Sequence, residues 1–182
     1  MFVISHNNVT FALIKQKTMI SKPKALLLGL CSLFASQISG QGIGNVRFGS
    51  TYEVAAMHIK ETFGNPVKAT DDEMVYANTL FEGILWNSVT FRFMEGRLCE
   101  ARFYQDHKNK VKAKAELETI AQNLGKKHAL SLDYEEDGNR FYAGGLSPMG
   151  IGRLFIVFVA PHNGHWSDQL RFGPFKFKNN EL

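Results

Sequence analysis

The chain has 182 residues, 45% of them hydrophobic and 21% charged, with a formal net charge of +4. That length carries one full domain or two small ones, and the apolar share excludes an intrinsically disordered chain. Every Asp and Glu follows Gly40 whereas Lys15, Lys17, Lys22 and Lys24 precede it, so of 21 basic residues 17 remain beyond that point, against 17 acidic ones. A near-neutral chain beyond Gly40 argues against a nucleic-acid partner, which needs a net basic surface.

In chain order the first feature is KALLLGLCSLFASQIS, Lys24 to Ser39. Its apolar stretch, Ala25 to Ala35, is about half the ~20 residues of a membrane-crossing helix, so no transmembrane anchor is expected. Lys22 and Lys24 lie before it and Ser36, Ser39 and Gly40 after it. These zones predict a secretory signal peptide, residues 19–40, cut near Gly40, in preference to a buried first helix. Met19 marks an alternative start, with residues 1–18 an upstream extension. Leu28-Gly29-Leu30-Cys31 is a loose lipobox in which Leu30 stands where a small residue belongs, so lipidation is not expected. The expected location is periplasmic or extracellular. With Cys31 in the leader only Cys99 remains, which rules out an intramolecular disulfide and predicts a buried thiol on a strand.

Beyond the leader, residues 41–182 are expected to form one α+β domain of two sub-units, about 46–107 and 108–177. Ser50 and Glu53 are spaced as a capping box, and Tyr52, Ala55, Ala56, Ile59 and Phe63 form one helical stripe that Gly64-Asn65-Pro66 stops. Strands are predicted over Glu73 to Asn78, Phe81 to Phe93 and Arg97 to Tyr104, with Glu95-Gly96 turning the second into the third. The pattern then restarts. Val111, Leu117, Ile120, Ala121 and Leu124 form a second stripe ended by Gly125. Strands follow at Leu130 to Tyr134, Arg140 to Ala143, Arg153 to Ala160 and Trp166 to Phe172, the last continuing toward Phe177, with Asn163-Gly164 as a hairpin turn. The expected architecture is a tandem αβββ-αββββ arrangement, with both helices packed on one face of an antiparallel sheet.

This order of elements, with FGSTYEV opening a helix that leads into a meander, resembles the small bacterial envelope modules of the outer-membrane assembly lipoprotein and β-lactamase-inhibitor-protein type. The resemblance spans most of Val46 to Phe177 and implies an exported binding module. No functional residue carries over, and the inhibitor's disulfides have no counterpart here.

Several stretches invite a chemical reading. His162 and His165 flank Asn163-Gly164, and Asp168 follows three residues later, so the three are weak candidates for a partial metal site. Asn163-Gly164 already explains the loop as a turn, and no further ligand is evident. Asp133, Glu135, Asp137 and Gly138 match the start of a calcium loop, but Gly144 occupies the twelfth position where a bidentate glutamate belongs; an acidic hairpin is the better reading. Lys108, Lys110, Lys112 and Lys114 read as a solvated helix face. There is no G-x-S-x-G elbow and no phosphate-binding loop, and no cofactor is expected. A sheet could bring Glu82, Glu100 or Asp106 together as catalytic carboxylates, though no spacing predicts it. The aromatics are abundant, and Trp86, Trp166, Phe172 and Phe175 are candidate binding residues should they reach an open sheet face. The expected function is non-catalytic recognition of a protein or envelope component through that face and its hairpin loops. The alternatives are a small-ligand carrier and a hydrolase built on dispersed carboxylates or on His162 and His165.

Overall fold

The computed structural model describes residues 38–39 and 42–177. The predicted leader and upstream extension otherwise lie outside the described residues, as does the cut near Gly40. The elements are β1 (Ile38–Ser39), β2 (Gly42–Ile43), β3 (Val46–Arg47), α1 (Tyr52–Phe63), β4 (Lys68–Ala69), β5 (Glu73–Phe81), β6 (Ile84–Met94), β7 (Arg97–His107), α2 (Lys110–Gly125), β8 (Leu130–Tyr134), β9 (Arg140–Leu146), β10 (Arg153–His162) and β11 (His165–Phe172). The protein is α+β: β1 to β3 form a small antiparallel sheet, and β4 to β11 form an eight-stranded one in the order β4-β5-β6-β7-β11-β10-β9-β8. Every pairing in the large sheet is antiparallel. Two meanders therefore meet through their last strands, β7 and β11. Among the described residues no helix is long and apolar enough to cross a membrane.

Both helices end or begin on local chemistry. Gly64 takes φ 79 and returns its N–H to Lys60 O, closing α1. Thr51, not Ser50, is the N-cap of α1, and its side chain makes no capping hydrogen bond, so the expected capping box does not form. Asn109 caps α2 by accepting from Lys112 N at 2.9 Å. The buried face of α2 is Ala113, Leu117, Ile120, Ala121 and Leu124, whereas Val111 is 78% exposed. Val111 lies off the stripe because Ala113, four residues before Leu117, takes the place on that face.

The strand from Phe81 to Phe93 expected from sequence is divided differently. Phe81 ends β5, and Glu82-Gly83 makes a two-residue turn with φ 53 and 76, the same left-handed pair that Glu95-Gly96 adopts at 52 and 71. β11 stops at Phe172 rather than continuing to Phe177, because Gly173, at φ 78, redirects the chain. Phe175 N–H then donates to Cys99 O at 2.9 Å, which seats the Phe175 ring 4.9 Å from that of Phe48.

One face of the large sheet supplies the core. Met74, Tyr76, Val89, Phe91, Ala101, Phe103, Val157, Leu170 and Phe172 are buried there and packed in one cluster with Ala55 and Ile59 of α1 and Leu117 and Ile120 of α2. The α1 ring of Phe63 lies 5.3 Å from Phe91 and 6.3 Å from Phe103, and Tyr142 of β9 donates to Glu118 of α2 at 2.5 Å. Burying such side chains contributes about 1.5–3 kcal/mol each, the main favourable term in this fold.

Candidate functional site

Alternation along a strand sends the neighbours of these core residues to the other face of the sheet. Across β6, β7 and β11 the register aligns Thr90 with Arg102 and Arg102 with Arg171, and sets Arg92 opposite Glu100. We call this the outer face. Its centre is Glu100, 2% exposed, ringed by guanidinium groups. Its Oε1 accepts from Arg171 Nε at 2.8 Å and lies 2.9 Å from Arg102 Nη2, and its Oε2 lies 3.5 Å from Arg92 Nη1. The arginine side chains remain reachable, at 56% exposure for Arg92, 27% for Arg102 and 28% for Arg171. Burial pulls the Arg102 guanidinium pKa down, but its hydrogen bonds to Glu100 and Tyr104 outweigh that and raise it, so it stays charged. One buried carboxylate thus gathers three cations, Arg102 and Arg171 closely and Arg92 at longer range, and the cluster keeps a positive excess.

Beside it lies an aromatic patch. The Tyr104 ring, 7% exposed, lies beneath the half-buried ring of His162, the two stacked with centroids 3.7 Å apart and an interplanar angle of 12°. They flank Ser167, fully buried on β11 and aligned with Asp106 on one side and Ala160 on the other. His162 Nδ1 stands 3.5 Å from Asp106 Oδ1, and Asp106 N–H donates to Asn87 Oδ1 at 2.8 Å. Phe158 and Ile156, both half-buried on β10, continue the outer face toward β9.

The residues singled out from sequence fall differently. Trp86 and Phe172 are fully buried and Phe175 is 7% exposed, so all three belong to the core and present no binding surface. Trp86 Nε1–H donates to Phe81 O at 3.2 Å, which satisfies its one polar atom inside the protein. Trp166 is partly buried on the core face, with Lys110 Nζ 4.7 Å above its ring. His162 and His165 do face one another across their hairpin. Asp168 does not join them: it lies three residues past His165 on a strand of period two, so its side chain is on the opposite face beside His107, and the candidate metal set is split by the sheet. Among the described residues no three His, Cys, Asp or Glu side chains are grouped to hold a metal ion. The carboxylates considered for catalysis are also apart: Glu82 pairs with Lys127 at 2.7 Å, Glu100 with the arginines and Asp106 with His162. Cys99 is buried, its Sγ–H donating to Arg92 O at 3.4 Å, and burial first and the Glu100 charge second push its thiol pKa up.

The core face holds one polar pair that the sequence did not reveal. His107 Nε2 lies 2.7 Å from Asp168 Oδ2, yet neither Asp168 oxygen has a well-aligned hydrogen bond. Burial, then the nearby Glu116 charge, raises the Asp168 carboxyl to about 8, and burial lowers the His107 imidazole. Both shifts run toward the uncharged form, the one that burial favours for a carboxyl and an imidazole alike.

Comparison with protein-family models, curated proteins and solved structures gives no match, so the reading of this surface rests on its own geometry.

Proposed function

We propose that the protein is an exported, periplasmic or cell-surface, non-catalytic interaction module that binds an acidic patch on a protein or envelope partner through the outer face of its sheet. The carrying observation is the set of three solvent-reachable arginines gathered around the buried Glu100 on the outer face. Arginine is enriched at interface hot spots, and Arg102 and Arg171, fixed by Glu100 before binding, lose little entropy on association. The half-buried rings of His162 and Phe158 add apolar contact next to the charges, the mixture found at the centre of protein interfaces. Export is supported by the charged, apolar and small-residue zones of residues 19–40.

The same proposal accounts for the architecture as two related units, α1 with β5 to β7 and α2 with β8 to β11. Joining their last strands makes one continuous surface from two smaller ones and places Arg102 of the first beside Arg171 of the second. Element order like that of the envelope modules named above fits such a role.

The test is affinity capture from an envelope fraction with the full chain as bait, in parallel with an Arg92→Ala, Phe158→Ala double variant and a Lys60→Ala control on α1. A protein retained by the wild type and the control but lost by the double variant is expected. Equal retention by all three would place the binding surface elsewhere.

A further inference from the structure

The edge formed by β8 has the features of a second binding site, independent of the outer face. β8 ends the eight-stranded order, and among the described residues it pairs only with β9. Glu135 N–H donates to Asn139 O across the turn, and Ser131 and Asp133 share its phase, so these residues turn their backbone groups toward β9. Leu130, Leu132 and Tyr134 accordingly turn theirs outward. Tyr134 N–H is already taken by Asp133 Oδ1 at 2.9 Å, which leaves Leu130 and Leu132 as the open pairing positions.

Natural sheets protect such edges with proline, lysine or a bulge. The sequence of β8, LSLDY, has no proline or lysine, its one charge is Asp133 beside Arg153, and its register with β9 runs without a break. Beside the edge a groove of about 420 Å³ runs between the strand and α2, lined by Glu118, Ala121 and Gln122 on the helix and by Leu130, Leu132 and Tyr142 on the sheet, with the Glu118 carboxylate already held by Tyr142 and Arg140. Leu132 is 46% exposed there. A strand beside a helix, with open backbone groups and a trough that has leucine side chains along its strand side, is the arrangement that receives an extended peptide by strand addition.

Charge selects the peptide. Residues 129–139 contain Asp133, Glu135, Glu136 and Asp137 and no Lys or Arg. Arg153 stands 3.7 Å from Asp133, and Asp137 is bonded to Asn139, but Glu135 and Glu136 meet no cation among the described residues. Carboxylates left without a cation call for a partner of the opposite sign. We infer that the β8 edge and its groove bind an extended segment of a partner protein in which apolar and basic residues alternate, the apolar ones facing α2 and the basic ones facing the β8–β9 carboxylates.

The probe is a fluorescein-labelled octapeptide of alternating valine and lysine, acetylated and amidated, titrated with the full chain and followed by anisotropy. Saturable binding is expected. It should weaken about tenfold or more with Leu132→Pro, which deletes an outward N–H and no ladder bond, and to a similar degree with a peptide N-methylated at alternate residues. A Glu135→Lys, Glu136→Lys variant should weaken it several-fold, and a valine–glutamate octapeptide should not bind. Should Leu132→Pro lower the melting temperature, the N-methylated peptide and the double charge variant carry the test, since both leave β8 intact. No saturable binding, or equal binding of the N-methylated peptide, would overturn the inference, the second outcome reducing the edge to plain charge attraction. Concentration-dependent dimerisation abolished by Leu132→Pro would also overturn it, by making the edge a contact between copies.

Discussion

His107 of β7 and Asp168 of β11 approach to 2.7 Å on the core face of the sheet, the carboxylate fully buried and the imidazole side chain 13% exposed. They are diagonal neighbours, since Trp166 is the residue directly opposite His107. Glu116 and Lys112 of α2 and Asp106 of β7 supply the charges that act on the pair. The pair produces opposite pH dependences. Asp168 has a folded pKa of about 8, above the carboxylate value of the unfolded chain, so its contribution is most favourable at acid pH and is lost as pH rises through about 8. His107 has a folded pKa below its ordinary value, so it destabilises as pH falls through that value and below. Asp168→Asn keeps the shape without the charge. Its melting temperature relative to wild type should therefore rise from pH 5 to pH 9, and a difference independent of pH would show that Asp168 is ionised throughout.

Glu100→Ala should destabilise by about 3 kcal/mol, the lower end for breaking a buried pair, because the arginines left behind reach solvent. Glu100→Gln keeps hydrogen-bonding oxygen and shape and should cost less. Urea unfolding of both variants measures this, and a cost for Glu100→Ala below about 0.5 kcal/mol would mean that the arginines do not depend on the carboxylate.

Trp86→Ala should cost about 3–5 kcal/mol, since the indole is fully buried against Phe103 at a centroid distance of 5.6 Å. Arg92→Ala, whose contact to Glu100 is long, should stay within about 0.5 kcal/mol of wild type. Thermal melts of the two would separate a core residue from a surface one.

Gly144 sits where β8, β9 and β10 crowd together. A Cβ there would lie 2.8 Å from both Leu130 Cδ2 and Phe155 Cζ. Gly144→Ala should therefore cost about 1–3 kcal/mol, as overpacking does. A melting temperature equal to wild type would show that Leu130 and the Phe155 ring yield freely.

Local pattern carried most of the fold. Helical stripes located α1 and α2, and period-two runs with X–Gly turns located β7 to β11 within a few residues. Val111 was misassigned because one apolar residue near a helix start fits two phases, and the Glu82-Gly83 turn was masked by apolar residues on both sides. The site was much less legible. The contact of Glu100 with Arg171 joins residues 71 apart, through a pairing of β7 with β11 that no local periodicity encodes. Aromatic content suggested a surface, but Trp86 and Phe172 went to the core, where large rings gain most from burial. His162, His165 and Asp168 looked like a set only until a strand placed the third on the opposite face.

Binding through the outer face is the central property proposed for this protein. The most direct measurement is calorimetric titration of the purified captured partner into the wild type and into the Arg92→Ala, Phe158→Ala variant. Loss of two hot-spot side chains predicts affinity weaker by about tenfold or more in a variant that still melts cooperatively. Equal affinity for a folded double variant would contradict the assignment of this surface.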